Sequence, residues 1–134
     1  MQLEPPALLR AMIADGRWST PEGAIDERIS VETARRWDPH ASGAHLMAAP
    51  VTLSSDLAAA PSLDDLWNTT DVDPERCLVI ADFGIGSDNP IVLDFADRPA
   101  SVRTLQWHVD GTGGSVWVTI ARTFDEFVSE LGLL

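Results

Sequence analysis

The sequence predicts an α+β domain spanning residues 1–134, an antiparallel sheet with helices packed around it. Three observations carry that reading. Apolar residues recur at helical spacing near both ends, β-rich runs separated by Gly, Asp, Asn and Pro fill residues 77–121, and the elements follow the order helices, strands, helix. At 134 residues with 45% apolar content and five Trp, the chain can bury a core without disulfide or metal staples.

The elements come in order. Pro5 and Pro6 pre-set the first turn of a helix whose Leu8, Leu9, Met12 and Ile13 form one stripe, and Gly16 suits its left-handed exit. Trp18 comes next, and Thr20-Pro21 is expected to open a second short helix ending near Ile29. Ser30 caps a further turn through Trp37. His45–Leu53 has strand character broken by Pro50, which implies an edge strand or an extended segment ending there. Two short helical pieces, 55–61 and 62–67, are separated by proline, and Asn68–Pro74 is a polar connection.

The stretch Cys77–Phe95 reads as a buried strand, a glycine-rich turn and a second strand starting at Pro90. Ser101–Val109 alternates as a half-buried strand, with Val102, Leu105 and Trp107 sharing a side, and pairs through a glycine-rich turn with Val116–Ala121. The chain closes on a helix with a Thr123/Glu126 capping box, a Phe124, Phe127, Val128, Leu131 stripe and Gly132 at its exit. The two Phe rings are expected to cover one sheet face.

Charge is the second signal. The net charge is −12, and residues 56–97 hold ten acids against Arg76 alone, a net −9. Such a field repels nucleic acid and anionic membrane and steers a basic protein surface toward it, although negative charge also simply maintains solubility. No apolar run approaches the roughly 20 residues of a membrane span, and Met-Gln-Leu-Glu-Pro-Pro is neither a basic nor an apolar leader, so the expected location is the cytoplasm.

Catalytic and metal readings find little support in the residue pattern. Cys77 heads a strand as a small hydrophobe with no base near it in sequence, and His40 and His45 lack the spacing of a zinc site. Neither glycine-rich loop leads into a helix, so neither cradles phosphate. Asp82, Asp88 and Asp94 are expected together at the hairpin end, as turn formers and partner contacts in preference to an acid/base or metal cluster; Asp71, Asp73 and Trp67 are expected nearby as further partner contacts. No catalytic residue, metal ligand or cofactor is assigned.

Ile80-Ala-Asp82, Gly84, Gly86, Ser87 and Asp88, Leu93-Asp94, and the start Ala121–Phe127 of the last helix together resemble the SUKH superfamily. That family includes the fungal Smi/Knr cell-wall-synthesis regulators and many bacterial immunity proteins. The resemblance covers roughly the last 60 residues; Leu3–Pro6 and Asp15-Gly16 only approximate the family's opening motifs. It implies an α+β domain without catalytic apparatus, acting as an immunity protein against a toxin such as a nuclease or, alternatively, as a regulatory scaffold.

Overall fold

In the computed structural model, residues 3–20, 25–39, 41–59, 71–83, 90–107 and 115–133 are described. Helix α1 (Ala7–Ala14) begins after Pro6, whose extended backbone makes it the N-cap, so the prolines precede the helix and do not form its first turn. Its Leu9 and Met12 are buried, and Gly16 leaves the helix at φ +84°. Trp18 then folds back, its main-chain N–H bonding Met12 C=O at 3.0 Å and its ring Nε1–H bonding Ile80 C=O at 3.1 Å. One fully buried ring therefore ties the first helix to the middle of the sheet.

The helix expected from Thr20 to Ile29 does not form over the described residues. Residues 25–29 are irregular and bend into a turn, and the segment lies along the sheet: Thr20 N–H bonds Leu46 C=O at 3.1 Å, and Asp26 N–H bonds Ala44 C=O at 2.8 Å. Thr20, which suits an N-cap, instead gives its hydroxyl proton to Asp26 at 2.8 Å and accepts from Leu46 N–H at 2.8 Å. Tertiary pairing has overridden a local capping signal. Helix α2 (Val31–Arg35) is capped by Ser30, whose hydroxyl accepts Thr33 N–H.

Five strands form one antiparallel sheet in chain order: β1 (His45–Thr52), β2 (Cys77–Asp82), β3 (Pro90–Asp94), β4 (Ser101–Trp107) and β5 (Ser115–Ala121). The edge position expected of the proline-bearing strand is observed, but β1 runs past Pro50 to Thr52, with a register shift between Leu46 and Val51. An edge strand needs no outward N–H from proline, and the shift absorbs the interruption. Helix α3 (Leu53–Ala59) starts at once, with Thr52 Oγ1 accepting Ser55 N–H at 3.1 Å.

Both faces of the sheet are covered. On one face Ile80, Ile91, Leu93 and Val102 pack with Leu9 and Met12 of α1, with Trp18, and with Phe124, Phe127, Val128 and Leu131 of α4 (Phe124–Leu131). Trp18 meets Phe124 edge-on at 5.1 Å between ring centroids, and Trp37 stacks on Phe83 at 5.9 Å. On the other face Cys77, Val79, Val92, Leu105 and Trp117 pack with Leu53 and Leu57 of α3 and with Val72. Burial on both faces explains why β2 and β3 read as unbroken apolar runs. It also corrects the grouping in β4: Val102 and Leu105 contribute to opposite faces.

Helix α4 carries the caps its sequence announces. Thr123 Oγ1 accepts Glu126 N–H at 3.1 Å, Gly132 is left-handed at φ +79°, and Leu133 N–H closes on Val128 C=O.

Candidate functional site

The acidic middle of the chain divides into residues that serve the fold and residues that face solvent. Asp94, at the end of β3, is 3% exposed. Its Oδ2 accepts Arg103 Nη1 at 3.0 Å and its Oδ1 accepts Ala96 N–H at 2.9 Å. Arg103 lies on β4 and reaches further, donating from Nη1 to Asp71 C=O at 3.4 Å and from Nη2 to Trp117 C=O at 3.0 Å. Asp71 closes the circuit, its Oδ2 accepting Trp117 N–H at 3.5 Å. A largely buried guanidinium thus holds β3, β5 and the segment entering β2 to one another.

Such an arrangement is stable only because the charges are paired inside it. Cys77, paired across from Asp94, feels the same surroundings: burial pushes its thiol up to about 12, and the Asp94 charge adds to the effect. It stays protonated and unreactive at neutral pH.

Asp94 therefore does not stand at the turn with Asp82. In the register of the pair, Asp82 faces Pro90 whereas Cys77 faces Asp94, so the two aspartates occupy opposite ends, roughly 13 Å apart at about 3.3 Å per residue. The expected convergence of Asp82 and Asp94 at one hairpin end fails, because the whole length of β3 lies between them. Asp88 of that trio lies outside the described residues, as does Trp67. Among the described residues no group of three or more His, Cys, Asp or Glu is placed to hold a metal ion.

Asp71, Asp73 and Glu75 are the exposed acids of the segment entering β2. Asp73 is also structural: its Oδ1 accepts Glu75 N–H at 3.0 Å and caps the 3₁₀ turn Pro74–Arg76. The turn presents Asp73 and Glu75 to solvent. They line a polar groove of about 420 Å³ with Thr52, Ser54 and Arg76. Arg76 is the cation among these residues, 3.9 Å from Asp73.

Arg103 is the residue that the sequence reading passes over. A signal for it exists: on a period of two it shares a sheet face with Leu105, where an arginine needs a buried partner, and Asp94 is an acid at the end of the neighbouring apolar strand. A second network, Thr20–Asp26–Arg28, is equally hidden in the sequence. Asp26 is 3% exposed and accepts Arg28 Nη2 at 2.6 Å and Nε at 2.9 Å; these bonds, with that from Thr20, hold its carboxyl below the usual carboxylate range.

The fold and this region define an α+β domain with a five-stranded antiparallel sheet and an acidic segment leading into β2. Comparison with protein-family models, curated proteins and solved structures gives no match for this chain. No helix among the described residues is long and apolar enough to cross a membrane.

Proposed function

We propose that this chain is a non-enzymatic protein-binding domain similar to the SUKH superfamily, a bacterial immunity protein that neutralises a basic toxin domain such as a nuclease. The observation that carries the reading is the charge of residues 56–97, net −9, with Asp71, Asp73 and Glu75 exposed where that segment enters the sheet. A nuclease must present cations to a phosphate backbone, and an acidic surface both attracts and occupies such a groove. The separation of Asp82 from Asp94 supports the same reading, since carboxylates at opposite ends of a strand cannot share one proton or one cation.

The test is binding to the basic C-terminal domain of a toxin encoded beside this gene. Tight association that weakens with salt is expected. Replacing Asp73 and Glu75 with Asn and Gln is expected to slow association about threefold to tenfold at low salt, with dissociation little changed. Unchanged association rates at low salt, or purification with a partner that carries no basic surface, would overturn the reading.

A further inference from the structure

Strand β1 is interrupted at one place, and the fold compensates for it. Leu46 faces Ala81 and Val51 faces Val79, so residues 47–50 stand opposite Ile80 alone. The register of β2 with β3 passes over Ile80 as well, and the Ile80 C=O accepts Trp18 Nε1–H at 3.1 Å. The carbonyl at the interruption thus has a donor outside the strands, which makes the interruption a built feature of the fold.

Both ends of the interruption are held. Leu46 bonds Thr20 through its N–H and its C=O, and Thr52 pairs with Leu78 while its hydroxyl accepts Ser55 N–H at the start of α3. Between these ends Ala48 and Ala49 are exposed and Val51 is 37% exposed, within a stretch, 46–55, that carries no charge. Thr52 also lines the groove that bears Asp73 and Glu75, so an apolar ridge and an acidic groove meet at one residue. An exposed apolar patch with charge at its rim, on backbone fixed at both ends, has the make-up of an interface core and its border.

We propose, resting on the toxin-binding reading, that this composite surface is where the basic toxin domain seats. An apolar side chain of the toxin lies on Ala48, Ala49 and Val51, and a lysine or arginine beside it enters the groove toward Asp73 and Glu75. Charge complementarity selects this occupant over a second copy, because a two-fold contact between chains of net −12 would set Asp73 and Glu75 of both at one junction. Pro50 withholds an N–H from an added strand and the detour at 47–50 breaks its register, so the contact is made by side chains. The two parts divide the kinetics: the acids set the association rate, and the apolar ridge sets the dissociation rate.

Surface plasmon resonance with the basic C-terminal domain of the toxin encoded beside this gene compares wild type, Ala49→Arg, Val51→Thr and Ser129→Arg. Ser129 is exposed on α4, over the other sheet face, and its variant makes the same charge change as Ala49→Arg. Ala49→Arg is expected to weaken binding at least about thirtyfold, chiefly through faster dissociation, Val51→Thr about threefold to tenfold in the same direction, and Ser129→Arg less than about twofold. Dissociation of Ala49→Arg and Val51→Thr at the wild-type rate overturns this surface and leaves the toxin reading standing. Equal losses in Ala49→Arg and Ser129→Arg overturn it too, since overall charge would then account for the effect. No binding by wild type overturns the toxin reading and this occupant with it. A wild-type dimer in sedimentation velocity that Ala49→Arg abolishes overturns the choice of occupant in favour of a second copy. If Ala49→Arg does not fold, Val51→Thr, a swap of like shape, is read alone.

Discussion

The two edges of the sheet are closed by different chemistry. Along β1 the closure is main chain: Thr20 and Asp26 donate their N–H groups to Leu46 and Ala44, Thr20 Oγ1 accepts Leu46 N–H, and Pro50 with a register shift spoils the remainder of the strand for pairing. Along β5 the closure visible in the described residues is two side chains on one residue, Trp117. Backbone pairing and proline are permanent features of the chain, whereas a carboxylate and a guanidinium answer to substitution and salt. Among the described residues, one edge is thus met by main-chain bonds and the other by charged side chains.

The largest expected effect is a control that touches neither edge. Phe127 is a fully buried residue of α4, against Trp18 at 6.4 Å and Trp37 at 5.3 Å. Phe127→Ala is expected to cost about 3–5 kcal/mol in urea unfolding, by lost burial and the cavity left behind. Its association state is expected to match wild type.

The next effect concerns the buried pair of Asp94 and Arg103. Asp94→Ala leaves Arg103 facing carbonyls alone, and removing one member of a buried pair costs about 3–5 kcal/mol. Because the Arg103 side chain keeps 19% exposure, water recovers part of that, and a loss of about 2–3 kcal/mol is expected. The double variant Asp94→Leu/Arg103→Met is expected to regain more than half of the loss, since it removes the charge left uncompensated. A double variant as unstable as Asp94→Ala would show that Arg103 contributes through its bonds to Trp117 and Asp71, and not through the pair.

Much of this architecture can be read from residues, and the failures share one cause. The Thr123 cap, the Phe124 to Leu131 stripe and the Pro90 start are local signals, and each is observed where its spacing places it. Thr20 and Asp94 mislead because their partners are distant in sequence: Leu46 for the first, Arg103 for the second. A capping residue beside proline satisfies the rules for a helix start whether or not a strand later claims its hydroxyl. Similarly, an aspartate near a turn satisfies the rules for a rim whether or not an arginine on the next strand buries it. Composition locates the charge, but only register can tell the acids that build the sheet from those that face outward.

The smallest effect concerns the β1 edge and tests whether it too depends on charge. Asp26 is held below its ordinary range chiefly by Arg28, assisted by Thr20. A carboxyl whose folded value is depressed contributes stability above its unfolded value of about 3.9 and loses that contribution as pH falls below it. Wild-type stability is therefore expected to fall as pH drops below about 4, with Asp26→Asn falling less steeply. At neutral pH the substitution is expected to cost only about 1 kcal/mol, because Arg28 is 42% exposed and solvent screens the pair. Equal acid slopes in urea titrations of the two proteins would refute the assignment. If the slopes differ while Asp26→Asn keeps the association state of wild type, charge tunes the stability of the β1 edge, which the Thr20 and Asp26 main-chain bonds hold.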